Sequence, residues 1–294
     1  MTISATFEIG FLAQRDSANW VNSAPVKPLM PLLFLCGCAS FSPVTIARQM
    51  GTIGWFQADA NLKWKHVDRG RGCNGLDQQG PTDEILVIVP GFKGDGPEIS
   101  AVVPVLASAK PGSIFLFRYV PWQSRDEISR EFAIGASHLL RCLPSPHGPV
   151  VVLAHSAGGM VVSHAAHLLS MPRTDQPGPA LYLMTVASPL AGMTGREPNA
   201  DGSEEVRFML DFGTRIQGYP VAPTSVAAVH LRTQYPGDQV MKPTKGVSPN
   251  DPHIGIPGAR QVDLPADLTH DSALAYVAAK IADGSWRAWF TPEP

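Results

Sequence analysis

Pro149 to Gly159 reads Pro-Val-Val-Val-Leu-Ala-His-Ser-Ala-Gly-Gly, which sets a serine hydroxyl where an apolar run meets a helix. Residues up to Ala154 are apolar and mostly β-branched, the pattern of a strand buried on both faces in a parallel sheet. Met160 to Ser170 reads as a helix. A hydroxyl on so tight a strand-to-helix turn is a candidate nucleophile. The turn strains the backbone and lifts the oxygen clear of the sheet, and small flanking residues let the helix pack against the strand. The amide of Ala157 falls at the helix N-terminus, where N–H groups have no helical acceptor and can stabilise an oxyanion. The plainer alternative is a strand, a loop and a helix capped by a buried serine.

The motif Ala154-His155-Ser156-Ala157-Gly158 resembles the Gly-x-Ser-x-Gly elbow of the α/β-hydrolases, with alanine in place of the first glycine. It is similar to the Ala-His-Ser-x-Gly form of small Bacillus-type lipases. The resemblance runs from about Glu84 to Asp283. It implies a second oxyanion amide on Phe92, in the loop Pro90-Gly91-Phe92-Lys93-Gly94. That loop commonly reads His-Gly-Phe in the family; the proline here leaves the backbone donor intact. It implies an acid in the loop Gly237-Asp238 and a general base at His270, in the family's chain order of serine, acid, histidine. Ser188-Pro189-Leu190-Ala191-Gly192 matches a loop that borders the site in lipase-like members.

Each assignment has a rival. Asp238 beside a glycine can instead bond its own turn backbone, and Asp251 is the alternative acid. His253 is a poorer base because no strand positions it. His155 is expected to point away from the serine. His164 and His167 share a face of the next helix, where histidines are usually surface or core polar groups. No His-Glu-x-x-His or paired Cys-x-x-Cys spacing suggests a metal site. The resemblance implies hydrolysis of a carboxylic ester through a Ser-His-Asp triad and an acyl-enzyme, with no cofactor and a small-molecule or lipid ester as substrate. An acyltransferase or thioesterase on the same fold, or a catalytically silent binding protein, is the alternative.

The elements needed to position these groups are legible. Glu84–Val89, Ser113–Val120, Ala180–Ala187 and Ser225–Thr233 read as further strands, and Arg260–Pro265 as a short last one. Pro97–Ala109, Ser124–Leu143 and His270–Ala282 read as helices, the first favoured by proline in its first turn and the second by Asp126 and Glu127 near its start. Trp55 to Val67 reads as an irregular strand or hairpin. The expected fold is α/β, a mostly parallel central sheet with helices on both faces. Residues 193–224 are the least sheet-like, and Glu204–Phe212 can form an amphipathic helix, so a cap or lid is expected there. Trp122, after the strand ending at Val120, is a candidate pocket-lining residue.

The chain has 294 residues, 44% of them hydrophobic, and a formal charge of −2, which suits one full-cored domain. No basic stripe with interleaved aromatics suggests nucleic acid. Residues 1–41 do not read as fold. Lys27 precedes an apolar run to Leu35, then Cys36-Gly37-Cys38-Ala39-Ser40, the layout of a secretory signal and too short to span a bilayer. Leu35-Cys36-Gly37-Cys38 also resembles a bacterial lipobox, which implies lipidation of Cys38, export to the periplasm or outer membrane and membrane association through the lipid. The run lies unusually far from Met1, so either the true start is downstream or the leader is atypical; an apolar helix packed on the body of a cytoplasmic chain is the alternative. Residues 42–294 are then the catalytic domain, and its pair Cys73 and Cys142 either bridges or stays as two buried thiols.

Overall fold

The computed structural model describes residues 53–76, 84–91, 97–109, 111–119, 123–143, 148–169, 181–190, 219–234 and 255–291. Cys38, Phe92, Trp122, Asp238, Asp251, His253 and the segment 193–218 lie outside the described residues.

The apolar runs form strands, and the strands form one sheet. These are β1 (Gly54–Ala58), β2 (Trp64–His66), β3 (Ile85–Val89), β4 (Ser113–Arg118), β5 (Val150–His155), β6 (Leu181–Val186), β7 (Val226–Arg232) and β8 (Arg260–Asp263). Their order across the 8-stranded sheet is β2-β1-β4-β3-β5-β6-β7-β8. The β1–β2 hairpin is antiparallel, and β1 runs antiparallel to β4. Every pairing from β4 through β3 to β8 is parallel. All six residues of β5 are buried, as a central strand covered on both faces requires.

Helices cover both faces. They are α1 (Pro97–Ser108), α2 (Arg125–Cys142), α3 (Ala157–Ala165) and α4 (His270–Ala282). Val150, Val152 and Ala154 of β5 share a core with residues of α2 and α3. The alternate residues Val151 and Leu153 share the opposite core with α1 and α4. Strand periodicity thus assigns each β5 side chain to one helical layer. In the first layer Trp55 packs 5.3 Å from Phe117 and 5.4 Å from Phe132, ring centroid to centroid. Rings of this kind contribute about 2–3 kcal/mol each on burial. In the second layer the fully buried Trp286 packs edge-on to Tyr182 at 5.2 Å.

Sequence signals set the helix starts. Ser124 caps α2, its side chain accepting from the amide of Glu127 at 3.2 Å. Thr269 and Ser272 form a reciprocal capping box at α4. The elbow helix begins at Ala157 rather than at the expected Met160. The change of chain direction is taken up at Ser156 alone, so helical backbone starts at the next residue.

Cys73 and Cys142 are joined, with their Cα atoms 5.1 Å apart. The bond ties a 3-10 turn, Arg69–Gly75, to the last residue of α2. Arg69 and Glu131 pair at 2.7 Å across the same junction.

Candidate active site

Ser156 follows the last residue of β5 with φ 51° and ψ −124°. A non-glycine residue at positive φ is uncommon and costs on the order of 1–3 kcal/mol, and such strain collects at functional sites. The conformation is held from both sides. The Ser156 amide donates to the carbonyl of Val186 at 2.9 Å, and the Gly159 amide donates to the carbonyl of Ser156 at 3.0 Å. The residue is partly exposed at the carboxyl end of the sheet, where open α/β sheets bind ligands.

The two glycines after Ala157 have separate packing reasons. A Cβ on Gly158 would collide with the carbonyl oxygens of Val89 and Pro90. A Cβ on Gly159 would collide with the side chain of Ser188. The first contact brings the N-terminus of α3 against the end of β3, at the entry to Pro90-Gly91. Tyr119 fixes that entry, its buried hydroxyl donating to the carbonyl of Pro90 at 3.0 Å. Ala157 is the first residue of α3, so its N–H has no helical acceptor.

Ala187, after β6, is also at positive φ, 46°. Its amide donates to the carbonyl of Leu231 at 3.0 Å, and the Ser188 turn that follows packs on Gly159. The loop singled out in the sequence therefore borders the elbow.

His270 is the first residue of α4, partly exposed, and its ring centroid lies 4.8 Å from that of His155. His155 Nε2 lies 3.1 Å from the carbonyl oxygen of His270. The His155 ring is only 2% exposed and points toward α4. The structure thus links the backbone of His270 to the residue that precedes Ser156. The sequence did not signal the contact with His270. The signal available was alternation: His155 has the parity of Val151 and Leu153, whose layer contains α4.

A second buried histidine was also missed. His230 on β7 is 2% exposed and stands in register with Thr185 of β6. Its Nε2 accepts from the amide of Ile256 at 3.0 Å. Nδ1 therefore carries the proton and donates to Thr185 Oγ1 at 2.7 Å. Burial, and then the Arg232 guanidinium, push its pKa down to about 4. Gly255, at φ 89°, lies where a Cβ would collide with the ring. The neutral ring holds Gly255 and Ile256 against β7.

His164 and His167 take no part in this cluster. His164 packs 4.7 Å from Tyr219, ring to ring, and His167 Nδ1 lies 2.9 Å from the His164 carbonyl oxygen. Among the described residues no group of three His, Cys, Asp or Glu could hold a metal ion, and no helix is long and apolar enough to cross a membrane.

The chain matches no protein-family model and no curated protein. Solved structures with a similar fold include the mouse α/β hydrolase domain-containing protein 10, at 13% identity and TM-score 0.42, over 72% of this chain and 92% of that one. Est1E from Butyrivibrio proteoclasticus with ferulic acid bound matches at 13% identity and TM-score 0.42, over 72% and 90%. The mature lipase BlEst2 of Bacillus licheniformis matches at 13% identity and TM-score 0.43, over 81% and 98%. The architecture itself, an α/β chain with a mostly parallel sheet and helices on both faces, is given by this chain's own strand order and pairings.

Proposed function

We propose that this chain is a serine hydrolase that cleaves carboxylic esters through an acyl-enzyme. The observation that carries the reading is the backbone of Ser156, a strained, partly exposed serine between a buried parallel strand and the N-terminus of α3. His270, one hydrogen bond from the adjacent residue, supplies an imidazole at the same end of the sheet.

In this reading His270 takes the Ser156 proton as the oxygen attacks the ester carbonyl. The amides of Ala157 and Phe92 receive the oxyanion, each worth about 3 kcal/mol of transition-state stabilisation. Asp238 holds the imidazole in its tautomer and balances the imidazolium, with Asp251 as the alternative acid. The imidazolium protonates the leaving alkoxide. Water, deprotonated by His270, then releases the acid and restores Ser156. We assign residues 193–224 to a lid and Cys38 to a lipid anchor on an exported chain.

The test is labelling of the purified chain with a fluorescent phosphonate alongside hydrolysis of p-nitrophenyl esters of increasing chain length. Label and turnover are expected in the native chain and absent in Ser156→Ala. Equal labelling of both would move the nucleophile elsewhere. A folded native chain with neither label nor turnover would remove the hydrolase reading.

A further inference from the structure

We infer that His155 is a positioning residue for His270, holding the general base against the elbow by a hydrogen bond to its backbone. The inference rests on the serine hydrolase reading for its catalytic consequence, but the geometry stands by itself.

His155 and Ser156 are consecutive, yet their side chains leave the chain in different directions. The strand alternates up to its last residue, so His155 projects into the layer of α1 and α4, with Val151 and Leu153. The turn at Ser156 then breaks the alternation and frees the hydroxyl. His155 is 2% exposed, and its Nε2 lies 3.1 Å from the carbonyl oxygen of His270. A carbonyl only accepts, so Nε2 carries the proton and donates. A hydrogen bond from a buried donor fixes distance more tightly than apolar contact does, because breaking it leaves the His155 N–H unsolvated.

The partner atom matters. His270 is the first residue of α4, so a bond to its carbonyl acts on the start of the helix. Thr269 and Ser272 close the cap within α4 itself, and those bonds move with the helix. The bond from His155 instead crosses from α4 to β5, the central strand that carries the nucleophile. The two rings also pack at 4.8 Å, tilted by 50°, which limits the rotation of the His270 side chain. The spacing of nucleophile and base is therefore set by a chain of two elements: the peptide bond between His155 and Ser156, and the bond from His155 to His270.

The experiment compares His155→Phe and His155→Gln with the native chain. Phenylalanine keeps a buried ring and removes the donor. Glutamine keeps an N–H at similar reach. In His155→Phe, kcat on a p-nitrophenyl ester is expected to fall about 10- to 100-fold with KM changed less than about twofold, the size of loss a misplaced base produces. In His155→Gln most of that loss is expected to be recovered. A second readout does not depend on turnover. In the native chain the ¹⁵N shifts of His155 are expected to report a protonated Nε2. The ¹³C carbonyl resonance of His270 is expected to move upfield in His155→Phe and to stay near its native position in His155→Gln. Native kcat in His155→Phe, or equal losses in both variants, would overturn the inference. So would a His155 Nε2 that is unprotonated. A native chain without esterase activity but with these NMR signatures would remove the hydrolase reading and leave the positioning contact standing.

Discussion

Gly158 sits against the carbonyl of Pro90 so closely that a methyl group in place of its hydrogen would collide with it and with the carbonyl of Val89. Two backbone segments far apart in sequence, the start of α3 and the end of β3, are thereby brought to the same point. Under the proposed function the first carries the oxyanion amide of Ala157.

Gly158→Ala is therefore expected to push α3 away from β3. Backbone cannot yield as a flexible side chain does, so overpacking here costs about 1–3 kcal/mol of stability. kcat is also expected to fall, by at least about tenfold, because the Ala157 oxyanion donor shifts with α3. Thermal melting and phosphonate labelling rates of the same sample check this. Unchanged labelling would separate the glycine from the site.

Ser156→Gly removes the nucleophile and also the strain of φ 51°. Glycine adopts that conformation without a Cβ penalty. The variant is expected to be inactive and about 1 kcal/mol more stable than the native chain, a rise of about 2–4 °C in Tm. Ser156→Ala is expected to be inactive without that gain. A melting comparison of the two decides whether the elbow stores strain.

His230 predicts a pH dependence of stability. Its pKa in the fold is about 4, below the 6.5 of a free imidazole, because burial disfavours the charged form. The unfolded chain therefore takes up the proton first as pH falls. The contribution is fully present above 6.5 and is lost between 6.5 and about 4, to a total of about 3 kcal/mol. Urea unfolding midpoints from pH 7 to pH 4 are expected to fall in the native chain and to fall less in His230→Gln, which keeps an acceptor for the Ile256 amide and does not titrate. Parallel curves would assign the acid loss to other groups.

The Cys73–Cys142 bond closes a separation of 69 residues. Chain-entropy arguments give a loop of that size about 4 kcal/mol of stabilisation. The double variant Cys73→Ser with Cys142→Ser is expected to lose stability toward that value, with phosphonate labelling of Ser156 unchanged, since the bond anchors the base of α2 and not the elbow. Urea unfolding with and without reductant measures it.

Under the proposed function, kinetics distinguishes the two candidate acids, Asp238 and Asp251. Asp238→Asn is expected to lower kcat/KM on a p-nitrophenyl ester by about 10⁴-fold, the scale of losing the group that orients the base. Asp251→Asn is expected to change it less than about threefold. The reverse order would give the role to Asp251.

The sequence by itself determined the sheet and the elbow. Runs of β-branched residues such as Ile85–Val89 and Val150–Ala154 have few other stable uses than buried parallel strands, and turn residues bound them clearly. Ser156 was legible because strand, hydroxyl and glycines must be contiguous for the turn to form. His270 was proposed as the base only through resemblance, since nothing local marks a histidine at a helix start as one. Tertiary structure alone decided the rest. The bond from His155 to His270 joins residues separated by 115 positions. The clamp of His230 on Thr185 and Ile256 depends on the register of β6 with β7. Such contacts are set by which strands become neighbours, and no local pattern of residue types encodes that.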